Sequence, residues 1–412
     1  MKTNKFIGNV WLYLWSISIV LNCFSVYVRE VGTVNYKLFT VFNLIFEAGG
    51  IVYGLIKLSA PRINLKNIVL GIGIYVTFLA PYILINLNKK FNLVYTLLYV
   101  PIGLAIYLYA ESESDALFRL FNTIRNVVLV IAVVSLFFWM LTSVFRIITL
   151  PSAITIEWGG VHRFSGIKYL YYEVQHISIF GRNMARNSGL FVEPAVFGLI
   201  LNFVFMVDTF FVHPGRLQKG NVIIGLAILS TTSTTNIAIL FSTIVVNYIC
   251  NQNSVSSFKK IGIPVIIIIL VIVVKKLLGS KVGGESYSLR MDDFFSGIRA
   301  FQDHLIIGNG FGDSTAMIKY MNKKRVLEEK TGFSNGLLLV FIHGGVYLGL
   351  TYIYPLIYML KKGMMKINLR FLSFPIMILI LLSSTMAQYT ELDIFIVLLC
   401  LFIPNYVAYR QN

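Results

Sequence analysis

NVIIGLAILSTTSTTNIAILFSTIVVNYIC, residues 221–250, decides how this chain is arranged. The run is too long for one ordinary membrane helix of roughly 20 residues, yet each half is short for a full crossing. Between the halves stand Ser230, Thr231, Thr232, Ser233, Thr234 and Thr235, whose hydroxyls compete for backbone hydrogen bonds and weaken a helix. As a single helix, the run would put Arg216 and Lys219 on the opposite side from Lys259 and Lys260. As a hairpin it keeps both pairs together. Basic residues gather on the cytoplasmic side of membrane proteins. The hairpin collects Lys57, Arg62 and Lys66, then Arg216 and Lys219, then Lys259 and Lys260, then Lys361, Lys362, Lys366 and Arg370 there, with no acid among them. Only Glu111–Arg125, with three acids and two arginines, fits that side poorly.

The rest of the chain supports a membrane reading. Charged residues make up 13%, against roughly 25% in soluble domains. Apolar stretches expected to span are Gly8–Val28, Leu38–Ile56, Ile68–Leu87, Leu93–Ala110, Ile124–Phe145, Gly189–Val212, Ile261–Val274, Phe333–Leu360, Phe371–Gln388 and Ile394–Tyr409, besides the hairpin. The first follows Lys2 and Lys5 and has the length of a retained helix rather than of a cleaved signal. The expected fold is therefore all-α and polytopic, with about 12 membrane segments, one pair short or broken, and both termini inside. Residues 1–412 form one integral membrane domain with two large outward loops, 146–187 and 275–331, expected to contain amphipathic helices. A net charge of +17 points to lipid headgroups rather than nucleic acid. Cys23, Cys250 and Cys400 lie in or at the ends of apolar runs with no metal or redox spacing.

Both loops are net basic on the side where charge normally runs the other way. The first carries Arg146, Arg163, Lys168, Arg182 and Arg186 against Glu157 and Glu173; the second has ten Lys/Arg against seven Asp/Glu. Such charge suits an anionic substrate, such as a lipid-carried pyrophosphate, or headgroup anchoring. The aromatics of Phe164–Tyr172 and Phe180 suit sugar faces and the lipid interface equally.

Arg186-Asn187-Ser188-Gly189-Leu190-Phe191-Val192-Glu193-Pro194-Ala195 opens a membrane helix and places Glu193 below the surface. An ionisable group there is a functional candidate, a general base on a hydroxyl, or else one half of an ion pair with Arg186. Ser286–His304 reads as an interfacial amphipathic helix, with Leu289, Phe294, Ile298, Phe301 and Leu305 at helical spacing. Arg290 and Asp293 share a face of it, with Arg299 further along. Gly308-Asn309-Gly310-Phe311-Gly312-Asp313 ends it, as a phosphate-binding nest or a plain tight turn. Lys323-Lys324-Arg325 reads as a solvated or lipid-facing patch. Ser334 and Asn335 stand at the mouth of the next span, and His343 lies inside it beside Gly344 and Gly345.

Three of these segments resemble the bacterial Wzy-type polysaccharide polymerases, a group related to the O-antigen ligases. Arg186–Ala195 is similar to the Arg-x-x-Gly-x-Phe-x-Glu-Pro form of capsule polymerases. Ser288-Leu289-Arg290 through Gly312 is similar to their arginine, amphipathic helix and closing Gly-x-Gly turn. Ser334-Asn335-Gly336 through Gly345 resembles the helix after their large loop. The resemblance implies a GT-C-like, metal-independent inverting glycosyltransferase with no cofactor. It would join undecaprenyl-pyrophosphate-linked repeat units into a capsule or O-antigen glycan at the outer face of the bacterial inner membrane. Its partners would be the lipid-linked donor and acceptor, together with a chain-length regulator and a flippase. It implies Arg186, Arg290, Arg299, Arg163, Asp293, Ser334 and Asn335 around the pyrophosphate and sugar, with Glu193 and then His343 as bases. The ligases carry a histidine next to asparagine where this chain has Ser334-Asn335, which favours polymerase over ligase. A ligase, or a non-enzymatic polysaccharide transporter, are the alternatives.

Overall fold

A computed structural model describes residues 2–31, 35–60, 65–86, 90–157, 160–179, 182–251, 285–313, 315–328 and 330–411. The first half of the bundle comprises α1 (Lys2–Asn22), α2 (Val26–Arg29), α3 (Asn35–Leu58), α4 (Leu65–Ile85), α5 (Lys90–Val94), α6 (Val100–Glu113) and α7 (Arg119–Trp139). The second comprises α8 (Pro194–Val207), α9 (Lys219–Ser230), α10 (Thr234–Cys250), α11 (Glu285–Asp303), α12 (Thr315–Ile318), α13 (Lys323–Leu327), α14 (Gly336–Lys366), α15 (Leu369–Ser383) and α16 (Glu391–Gln411). Widened π turns join α5 to α6 and extend α7 and α8.

Seven of the described helical segments are long and apolar enough to cross a membrane, not the expected number of about 12. Three expected spans are shorter apolar helices: α9, α10 and α15. The hydroxyl cluster is the reason for the first two, since the chain leaves helix at Thr231 to Ser233 and Thr232 turns left-handed (φ 49°). The expected span Ile261–Val274 lies outside the described residues, as do Lys259, Lys260, Arg62 and Phe180. The first span also stops early. α1 ends at Asn22, Phe24 is left-handed, and residues 24–26 bond backbone-to-backbone with 190–192 instead of continuing the helix.

The hairpin reading of 221–250 agrees with where the helix ends lie. Asn221 donates to Asp208 at 2.7 Å and Arg370 donates to Asn251 at 2.6 Å. At the opposite end, beside the break, Asn187 N–H donates to Ser230 O at 3.1 Å. One of the three acids that fitted the basic side poorly is paired there: Glu111 takes Lys57 at 2.8 Å. Arg125, from the same stretch, takes Asp208 at 3.0 Å.

The first loop corrects the all-α expectation. Among its described residues it contains no helix but an antiparallel three-stranded sheet, β1 (Ser152–Glu157), β2 (Val161–Ile167) and β3 (Tyr171–Glu173), and a hairpin of β4 (His176–Ile179) and β5 (Arg182–Ala185). Ile154 and Ile156 alternate inward along β1, a two-residue period that only a strand can bury on one side. The molecule is thus largely helical, with several long apolar helices consistent with a multi-pass membrane protein, and two small sheets at one end.

The second loop does hold the amphipathic helix, α11, but its buried side is not the apolar stripe. Asp293, Ser296, Gly297 and Ala300 are buried, whereas Phe294 and Phe295 are exposed. A Cβ on Gly297 would come within 2.6 Å of Leu338 and 2.8 Å of Phe333, so the small residues let α11 lie close against the start of α14. Phe294 and Phe295 are left facing outward, as an interfacial helix requires, while Phe301 packs on Phe341 of α14 with ring centres 5.6 Å apart.

α14 is two helices joined at a kink. Gly345 is non-helical (φ 60°, ψ −160°). At the break, Val346 and Tyr347 N–H donate to Leu305 O and Ile306 O instead of to their own helix. Residues 308–310 lie so close to Gly344 that a Cβ on Gly308 would meet its backbone nitrogen at 2.4 Å.

Candidate functional site

The site is built where the segment before α8 meets the break between α9 and α10. Pairing of residues 190–192 with 24–26 and the left-handed Gly189 (φ 57°) turn the chain sharply into α8. Asn187 anchors this turn: its amide donates to Ser230 at 2.9 Å and to Ser135 at 3.3 Å, and its carbonyl accepts Gly189 N–H at 3.0 Å. Pro194 then opens the helix at a position where its missing N–H costs nothing.

Glu193 is the N-cap residue of α8, extended (φ −147°, ψ 135°), and its side chain does not cap the helix. It is 5% exposed, and its Oε2 has no hydrogen-bond partner among the described residues. Charges acting on it are Arg290, Arg186 and Asp293. Yet among the described residues no cation approaches its carboxylate to ion-pair distance, so the simple Arg186–Glu193 pair is not what forms.

Arg186 is held by other means. Its Nη1 donates to Gln175 Oε1 at 2.7 Å, and its Nε to Thr231 O and Thr232 Oγ1, both at 3.1 Å. Burial and Arg290 draw the guanidinium down to about 10 against the pull of Glu193, leaving it a cation at neutral pH. The hydroxyl break therefore serves the site, supplying the acceptors that aim Arg186. Arg290, half-buried on α11, makes no hydrogen bond or ion pair among the described residues, although it acts on both Arg186 and Glu193.

Asp293, one turn along α11, is fixed from two sides. Its Oδ2 accepts Ser334 N–H at 2.9 Å and the Ser334 hydroxyl at 2.6 Å, and Arg325 meets its Oδ1 at 2.7 Å. Asn335 caps α14, accepting Leu338 N–H at 2.9 Å. Arg325 corrects the reading of 323–325 as a solvated patch. It is buried, pairs also with Asp292 at 3.1 Å, donates to Lys330 O at 2.6 Å and to Gly332 O, and so ties α13 to α11; Lys323 and Lys324 remain exposed. The signal for it was Asp292-Asp293 on a helix face, two adjacent acids that burial could tolerate only with a cation.

Arg186, Glu193, Arg290, Asp293, Ser334 and Asn335 thus come together from three separate stretches of sequence. The other candidates do not join them. Arg299 is exposed on α11, and Arg163 is exposed on β2 opposite Thr155. His343 is buried in a different neighbourhood, with its ring 5.8 Å from Tyr389 and nearly parallel to it. Its carbonyl accepts Tyr82 OH at 2.8 Å and Gly310 N–H at 3.1 Å. The glycine turn is a structural wedge rather than a nest: Asn309 N–H donates to Ile342 O at 2.8 Å and Phe311 N–H to Asn86 at 3.0 Å.

Chemically, the cluster offers two cations and a buried carboxylate with an oxygen left open. That set can hold an anionic group and accept a proton beside it. Two apolar clefts, of 290 Å³ between α10 and α15 and 620 Å³ along α4, are lined by none of these residues. Compared with known proteins, the chain matches no family model and no curated protein.

Proposed function

We propose that this chain is a GT-C-like membrane glycosyltransferase that polymerises undecaprenyl-pyrophosphate-linked repeat units, as the resemblance to Wzy-type polymerases suggests. The observation that carries the reading is the buried Glu193 carboxylate, which feels the charge of both Arg290 and Arg186 yet, among the described residues, has an oxygen left open and no ion pair to either. An acid that existed only for structure would be closed by its arginines. In the proposed reaction an acceptor hydroxyl loses its proton to Glu193 and its oxygen attacks the anomeric carbon of the donor glycan. The bond from that carbon to the pyrophosphate breaks with inversion. Arg186 and Arg290 take up the charge on the departing pyrophosphate, while Asp293 and Arg325 hold Ser334 and the mouth of α14 in place. The active face would look outward from the bacterial inner membrane, opposite the basic clusters.

The test is a complementation assay in a null strain, with surface glycan and lipid-linked intermediates separated on a gel and membrane levels checked. Single repeat units without a ladder are expected for the null and for Arg290→Ala, Arg186→Ala and Glu193→Gln. Long lipid-linked chains that never reach a final acceptor would make the protein a ligase. A normal ladder in the null would refute both.

A second reading, transport of the finished glycan, is favoured by the two interrupted helical stretches at Thr231–Ser233 and Gly345, a feature of transporter cores. It predicts complete chains retained on the inner side, which the same gel, run after protease and periplasmic access controls, distinguishes.

A further inference from the structure

Away from that site, α3, α6 and α16 enclose a second set of ionisable groups. Glu47 on α3 is 1% exposed, and among the described residues neither carboxylate oxygen has a hydrogen-bond partner. It fits against the bare Cα of Gly103 on α6, where a Cβ would come 2.6 Å from its Oε1. Glu391, at the start of α16, is 3% exposed and acts on Glu47 electrostatically. Its Oε1 accepts the Tyr95 hydroxyl, the amides of Asn22 and Asn43 lie near enough to favour its charge, and among the described residues Oε2 is without a hydrogen-bond partner. Ser18 from α1 bonds the Asn43 carbonyl oxygen and so orients that amide. The other titratable groups facing the pair are Tyr95 and Tyr99. Among the described residues no lysine, arginine or histidine acts on either acid.

Two ionised carboxylates in a dry interior with no cation would carry a desolvation cost that nothing offsets, and like charges sharing a site do not both ionise. The surroundings also choose between them. Glu391 has the Tyr95 hydroxyl as a donor and two amides near it, which stabilise a negative charge; Glu47 has no donor, which suits a neutral acid. We propose that Glu47 and Glu391 form a proton-binding site, in which Glu47 carries the proton and Glu391 the negative charge. The ligand is a single proton, and the inference stands independently of glycosyl transfer.

The experiment is infrared spectroscopy of the full chain in lipid nanodiscs at neutral pH, in H2O and D2O, with and without sodium. Subtracting Glu47→Gln from wild type is expected to leave the carbonyl band of a protonated carboxylic acid, shifted by deuterium and indifferent to sodium. Carboxylate bands in its place would overturn the proposal. So would a carbonyl band that appears only when sodium is removed, which would make the site one for a sodium ion. Gly103→Ala, whose methyl intrudes on the Glu47 carboxyl, is expected to shift the same band in an otherwise intact protein. If it fails to move, the band does not belong to Glu47.

Discussion

Helix α8 has a buried acid at each end, and the two are treated in opposite ways. Asp208, just past its last turn, is closed on every side: Arg125 and His213 meet Oδ1 at 3.0 Å each, and Asn221 donates to Oδ2 at 2.7 Å. Glu193, just before its first turn, faces two arginines and is closed by neither. The helix dipole runs against Asp208 and in favour of Glu193. The acid in the unfavourable position has therefore been given partners, and the one in the favourable position has been left an open oxygen. Burial alone does not distinguish a structural carboxylate from a working one; closure does.

The sharpest way to break that contrast is to neutralise each acid in turn. Glu193→Gln is expected to lower glycan polymer formation by about 10²–10⁴-fold, the usual worth of a general base. It should leave the unfolding midpoint in detergent unchanged, since no ion pair is lost. Asp208→Ala should do the reverse. Stranding Arg125 and His213 is expected to cost about 3–5 kcal/mol in a reversible unfolding titration, with the surviving folded protein still active. Equal stability losses in both would mean that Glu193 is structural too.

Arg325 sharpens the same point within the site. Asp293 belongs to the cluster yet is closed, by Arg325 and Ser334, so it should behave like Asp208 rather than like Glu193. Arg325→Lys keeps the charge but cannot reach both Asp292 and Asp293 while also donating to two carbonyls. A loss of about 1.5–3 kcal/mol in the unfolding titration is expected. Activity per folded molecule should fall less than for Glu193→Gln. If activity collapsed with stability intact, Arg325 would be holding substrate rather than Asp293.

Much of this arrangement could be read from the sequence, and what could not shares a cause. The break at Thr231–Ser233 was legible because six consecutive hydroxyl residues weaken helix locally. Glu193 was legible because a carboxylate beside Pro194 at the head of an apolar run is anomalous where it stands. The strands of the first loop were not, since two inward isoleucines are too short a period to outweigh the helical expectation. Asp208 vanished into an apolar run, and Arg325 into a basic one. The partners that explain them, Arg125 and Asp292–Asp293, lie far away in sequence and meet them only when the helices pack. The same holds for the buried face of α11: spacing identified the amphipathic stripe, but only the packed structure shows that the small residues and Phe301 lie against α14 while Phe294 and Phe295 do not.

Arg163 supplies the smallest expected effect and the cleanest boundary. It is exposed on β2, opposite Thr155, and among the described residues it makes no ion pair and acts on neither Arg186 nor Glu193. If the open carboxylate defines the site, an arginine outside its reach is dispensable. Arg163→Ala should then change stability by no more than about 0.5 kcal/mol, as for surface substitutions generally. The glycan ladder should match wild type in both amount and length, against a ladder abolished by Arg186→Ala. Should Arg163→Ala shorten the chains while leaving single-unit addition intact, the sheet would be tracking the growing glycan. The site would then extend beyond the residues that closure identifies.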